Sequence, residues 1–209
     1  SSATSTTNGR QQIVLADILL YYPFIDTDAV GEQQDMVNTA TIPRYTSGRV
    51  IAVGQSASST LGQFTFSYTN QDGVAGRTSQ NHFTFVVAGG GQVVASSVQS
   101  AASFHPYLAL QAGDSGVKSI ESVTFTAGGG GLMALVIVQP LLECFVTQES
   151  RRTTSGNLET YGACNEFASV IHHRPRQIKD GAVINLFAAG HAGSLASSIL
   201  AGVLETTWN

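Results

Sequence analysis

Residues Leu132 to Val138 read LMALVIV, apolar without interruption, entered through the glycines Gly128 to Gly131 and left through Gln139-Pro140. Successive side chains of a strand point to opposite faces. A short apolar run bounded by turn residues therefore reads as a strand buried on both sides, in a sandwich interior. Such a strand needs neighbours, and the sequence supplies them. Gln63 to Thr69, QFTFSYT, alternates Phe64, Phe66 and Tyr68 on one face with Thr65, Ser67 and Thr69 on the other. It then enters Asn70-Gln71-Asp72-Gly73, a turn whose Asp-Gly pair tolerates positive φ. Further strands are expected over Val50–Val53, His82–Val87, Val93–Val98, Ser119–Thr126, Leu141–Thr147, Glu166–His172, Ala182–Ala188 and Ser198–Thr207. Turn chemistry separates them at Ser47-Gly48, Gly89 to Gly91, Ser115-Gly116, Gly128 to Gly131, Ser155-Gly156 and Asp180-Gly181. Strands punctuated in this way predict an all-β chain: an antiparallel β-sandwich, jelly-roll-like.

Helical signal is thin. Thr27 to Asn38 and Gln99 to Phe104 have the residues for a turn or two. Gly193 to Leu204 fits a strand better, because Thr206, Thr207 and Trp208 continue it with good β-formers. Ser1 to Gln12, SSATSTTNGRQQ, is polar without an apolar period and predicts a flexible N-terminal arm. Residues 13–209 then form the sandwich domain, with room for a C-terminal sub-sheet from about 141.

Charge decides what such a sandwich does with its surface. Only 11% of the residues are Asp, Glu, Lys or Arg, and Lys118 and Lys179 are the only lysines. Soluble domains carry about 25%, and a solitary protein uses that charge to stay dispersed. A surface this neutral is expected to be occupied by other subunits. The net charge of -4 argues against a nucleic-acid partner, whose footprint is basic. Arg151, Arg152, Arg174, Arg176 and Lys179 read as loop or salt-bridge residues. No run of 18 apolar residues occurs, so no membrane-spanning helix is expected. No charged segment followed by an apolar one opens the chain, so no signal peptide is expected. Cys144 and Cys164 make neither a disulfide framework nor a zinc set and read as buried thiols, with a bridge open to geometry.

Chemical motifs are weak. Gly113-Asp114-Ser115-Gly116 is similar to the nucleophile segment of trypsin-like serine proteases. The glycine that follows there is Val117 here, and neither His82 nor His105 has the context of a base histidine, so a turn is expected. His172-His173 would point to opposite faces of a strand and cannot chelate one ion from it. His191, in AAGHAGS, reads as a surface loop. The glycine runs lack the Lys-Ser/Thr ending of a phosphate loop and read as loop tips, open to close approach by another chain. Neither Asp26 with Asp28 nor Asp114 with Glu121 is tied to a cleft, as paired glycosidase carboxylates must be. No catalytic residue, cofactor or metal is expected. Tyr21, Tyr22, Phe24, Tyr45 and Tyr107 would be interface anchors or sugar platforms if exposed, and core if buried.

Six stretches carry a resemblance: Leu20 to Asp26 (LYYPFID), Gln33 to Arg44 (QQDMVNTATIPR) with Tyr45, Phe66 to Arg77 (FSYTNQDGVAGR), Leu108 to Gly116 (LALQAGDSG) leading through SVTF to LMALVIVQPL, Lys179 to Ala182 (KDGA), and the end at Trp208. Together they cover most of residues 20–209, and the chain resembles virion structural proteins of tailed bacteriophages, of the kind found alongside the major capsid protein. The resemblance implies a non-enzymatic β-rich protein that decorates or cements an icosahedral shell, on its exterior or at a vertex or collar. It implies as partners the major capsid protein, neighbouring virion proteins and further copies of the chain, a trimer being suggested by the threefold positions of shells. Interface candidates are the arm, the segment holding Tyr21, Tyr22, Phe24, Arg44 and Tyr45, and a loop from Arg151 and Arg152 to Gly162. The competing expectation is a lectin-like jelly roll displayed for glycan adhesion, which predicts exposed Tyr or Trp beside Asp and Asn on one rim.

Overall fold

The computed structural model describes residues 10–37, 40–86, 89–91, 93–97, 106–147, 149–152, 158–161 and 177–190. Within them the chain is all-β, an antiparallel sandwich of jelly-roll-like character, with no helix. Sheet A has the order β12-β1-β9-β3, from β1 (Arg10–Asp26), β3 (Arg49–Gly54), β9 (Leu132–Thr147) and β12 (Ile184–Gly190). Sheet B has the order β2-β8-β4-β6-β7, from β2 (Gln33–Asp35), β4 (Gln63–Asn70), β6 (His82–Thr84), β7 (Ala95–Ser96) and β8 (Val117–Ala127), with β5 (Arg77–Thr78) on β4. A separate hairpin joins β10 (Glu149–Arg152) to β11 (Leu158–Tyr161).

The alternation in β4 becomes the inner face of sheet B, where Phe64, Phe66 and Tyr68 are buried with Val123 and Phe125 of β8. Facing them from sheet A are Leu19, Tyr22, Ile25, Met133, Leu135 and Ile137. Each large buried side chain stabilises the fold by about 1.5–3 kcal/mol, against about 1 kcal/mol net for a hydrogen bond, so this layer dominates stability. Strand β9 is buried on both faces from Met133 to Gln139. Its other face, with Val136 and Val138, packs beside Val14, Ala16 and Ile51 into a second apolar cluster on the outer side of sheet A.

Several elements differ from the expectation. Arg10 to Gln12 belong to β1 rather than the arm and pair with Phe145 to Thr147, because ladder pairing needs backbone groups and not apolar side chains. Thr27 to Asn38 holds no helical turn in its described part. The Asp26 carboxylate accepts the Asp28 N–H at 2.9 Å, closing a local turn, and Gln33 to Asp35 then pair with β8. Leu132–Val138 and Leu141–Thr147 are one strand, so sheet A continues through 141 without a break. The expected loop from Arg151 to Gly162 contains the end of β10 and all of β11. Gly128 to Gly131 is a loop between strands, as expected, and it crosses from sheet B to sheet A. Its close approach is to this chain itself: Gly131 has φ +90, and a Cβ there would meet the Ala57 carbonyl. The strands expected over Glu166–His172 and Ser198–Thr207, the turn at Gln99–Phe104, His105, His191 and the Cys164 thiol lie outside the described residues.

Candidate interaction surface

On the outer face of sheet A the apolar cover is incomplete. Tyr21 lies opposite Val136 and is 46% exposed, while Leu132, opposite Asp26, is 37% exposed. Between them β1 bulges. Tyr22 pairs with Leu135 and Ile25 with Met133, so Pro23 and Phe24 together face one position of β9. Phe24 adopts φ 62 and is 74% exposed, and its N–H donates to the Gln55 Oε1 at 2.6 Å. A bulky residue in the left-handed region costs about 1–2 kcal/mol. Gln55 holds the backbone in place, while the ring itself is mostly exposed. Tyr45 offers the contrast. It has φ 63, yet its ring packs against the core and its hydroxyl donates to the Gln177 carbonyl at 3.3 Å.

The other candidates divide by burial. Tyr22 is 2% exposed, and its hydroxyl accepts the Ile120 N–H at 3.0 Å, so it is core and offers no contact surface. Burial raises its pKa. Tyr107 is likewise buried, donating its hydroxyl to Glu143 at 2.6 Å under the Arg49 guanidinium, and burial raises its pKa strongly. Arg44 is committed inward. Its Nε and Nη2 bond both oxygens of Asp17, itself 0% exposed, at 2.8 and 2.7 Å. The same carboxylate accepts the Val183 N–H at 2.8 Å, so the pair clasps β1, the segment at 40–48 and the approach to β12. The bonded carboxylate raises the Arg44 pKa. Arg151 and Arg152 pair with Glu159 and Leu158 in the β10–β11 hairpin, apart from sheets A and B. Tyr21 and Phe24 are thus brought onto one face, and Leu132 joins them. The sequence placed Leu132 inside a strand and carried no sign that the first residue of that strand would reach the rim.

The motifs with chemical overtones are structural here. Asp114 sits in the expected turn and accepts the Tyr68 hydroxyl at 2.6 Å, Asn70 Nδ2 at 2.8 Å and Arg77 Nε at 2.9 Å. Arg77 and then Tyr68 hold its pKa at about 2, while burial and the Asp114 carboxylate push Tyr68 up to about 12. The Ser115 N–H is taken by Gln71 Oε1 at 3.0 Å, and His82 lies against Ser97 instead. Glu121 accepts Ser67 and Thr69 hydroxyls at 2.8 and 2.9 Å, a partner set separate from that of Asp114. Asp28 accepts the Gly130 N–H at 2.9 Å, tying the glycine crossover to the turn after β1. Among the described residues no three His, Cys, Asp or Glu gather as a metal set.

A shallow trough of about 360 Å³ crosses the outer face of sheet B, lined by Gln33, Asp35, Thr65, Thr78, Glu121 and Thr124 among others. Its one lining ring, Phe66, is turned into the core, so the trough lacks a stacking platform for a sugar. What the fold and surface define is a β-sandwich on whose sheet A Tyr21, Phe24 and Leu132 are exposed apolar side chains. Comparisons with protein-family models, curated proteins and solved structures found no match.

Proposed function

We propose that the chain is a non-enzymatic structural protein of a phage virion, decorating or cementing the capsid by bridging neighbouring subunits. The observation that carries this reading is Phe24: a large aromatic ring held out to solvent on a left-handed backbone. Strain of this kind persists where function selects it, and aromatic residues, Phe among them, are enriched at protein interfaces relative to the rest of the surface. Tyr21 and Leu132 extend the patch, and a chain only 11% charged leaves few groups to repel a partner. Bridging contacts of this type raise the number of interfaces that must break before a shell opens. The partner is the major capsid protein or a neighbouring virion protein, with homo-oligomerisation, as a trimer, supplying the symmetry match.

The test is the rupture temperature of shells assembled without the protein, measured after adding wild type or Phe24→Gly. Wild type should raise it and Phe24→Gly should raise it much less. Equal stabilisation by both would remove Phe24 from the interface. No effect from either, with binding to a neutral glycan instead, would favour the adhesion alternative.

A further inference from the structure

The segment leading into β12 turns at residues 179–182, where the Ala182 N–H donates to the Lys179 carbonyl at 3.1 Å and Gly181 takes φ +72. Residues 177–181 are exposed throughout. Among the described residues an aspartate or asparagine precedes glycine twice, here at Asp180-Gly181 and at Asp72-Gly73. Such a step is chemically weak, because glycine has no Cβ to shield its nitrogen from the neighbouring carboxyl group. The two sites differ in how firmly they are held. The Gly73 N–H donates to the Asn70 carbonyl at 3.0 Å, the Asp72 N–H donates to Asn70 Oδ1 at 3.0 Å, and Asp72 Oδ2 accepts Gln71 Nε2 at 2.9 Å. Among the described residues neither the Asp180 carboxylate nor the Gly181 N–H has a hydrogen-bond partner. A Cβ at Gly181 would meet nothing nearer than Arg44 Nη1, at 3.9 Å.

We propose that Asp180 is a modification site, isomerising spontaneously to isoaspartate through Gly181 and loosening the tie between Asp17 and the approach to β12. The Gly181 nitrogen attacks Asp180 Cγ, the new C–N bond closes a succinimide, and the carboxyl oxygen leaves as water with the amide proton. Water then adds back to the ring. Opening at Cγ restores aspartate. Opening at the main-chain carbonyl leaves the peptide running through Cβ and Cγ, with the former main-chain carbonyl as a free carboxylate. One water is lost and one regained, with no oxidant or reductant. The product has one more carbon in its main chain, inside a turn held by a single hydrogen bond. Two residues on, the Val183 N–H donates to Asp17 Oδ1 at 2.8 Å and its carbonyl accepts the Ile18 N–H at 2.9 Å. A longer main chain shifts these two groups away from partners fixed in β1.

The experiment ages the full chain for several weeks at pH 6 and 37 °C, then labels it with an isoaspartyl methyltransferase and radioactive S-adenosylmethionine. Peptide fragmentation assigns the label to a residue. Asp180 should carry on the order of tenfold more label than Asp72, where the bonds to Asn70 and Gln71 must open before the nitrogen can attack. Asp180→Glu should abolish the label at 180, because the larger ring closes far more slowly. Asp180→Asn should raise it and release ammonia. In the isomerised fraction the Val183 amide should exchange faster than in fresh protein, while Ile137 in β9 keeps its protection. No label at Asp180, as much at Asp72, label undiminished in Asp180→Glu, or Val183 protection unchanged in the isomerised fraction would each overturn the proposal.

Discussion

Phe24 and Tyr68 test opposite claims about single side chains. Glycine adopts φ 62 without strain, so Phe24→Gly should leave the isolated protein as stable or more stable by about 0.5–1 kcal/mol while removing the ring. Urea denaturation reads this directly, and a marked loss of stability would mean that the ring packs within its own chain. Tyr68→Phe removes a hydroxyl that donates to Asp114 and accepts the Gln111 N–H at 2.9 Å. Leaving those groups with one partner fewer should cost about 1–2 kcal/mol, read as a lower urea midpoint at unchanged slope. Acid stability separates two groups. His82 has its folded pKa depressed to about 4 from 6.5, so its neutral form contributes stability fully above pH 6.5, lost as pH falls toward 4. The amount is about 3 kcal/mol, from the shift between those values. Asp114, depressed to about 2, contributes above its unfolded value and is lost only as pH falls through 2. A thermal-melting series should therefore decline between pH 6.5 and 4, and His82→Phe should flatten that decline.

At the scale of elements, the clasp of Arg44 on Asp17 joins three segments distant in sequence. Arg44→Ala strands a fully buried carboxylate and should cost about 3 kcal/mol, with exchange quickening first at the Val183 amide. Elements whose side chains carry a period were legible in advance: β4 by its alternation, β9 by its unbroken apolar run, β3, β8 and β12 by β-branched content between turns. The elements that escaped are β1, 17 residues long and covered by none of the expected strands, and the short β2, β5, β10 and β11, of two to four residues. β2 and β5 exist because β8 and β4 had edges to pair, a tertiary cause that leaves no mark on Gln33–Asp35 or Arg77–Thr78 themselves. The contact surface was half legible for the same reason. Tyr21 and Phe24 stand out as aromatics, but only the bulge that turns Phe24 outward and the pairing that buries Tyr22 decide which rings face solvent. The ties of Asp114 to Tyr68 and of Arg44 to Asp17 span 46 and 27 residues and had no local signature.

Among the described residues an aromatic layer lies between the two sheets, polar ties hold both turns, as at Asp114, and buried positions, as at Asp17, and Tyr21, Phe24 and Leu132 stand exposed on sheet A. The proposed bridging role accords with a chain that carries so little charge, since other subunits would then cover part of its surface. The bridging account is tested most directly by the mass of the purified full chain in light scattering, alone and after mixing with shells assembled without it. The account predicts a discrete oligomer that saturates the shells at a fixed ratio per subunit. A monomer that leaves the shells unchanged at any concentration would contradict it.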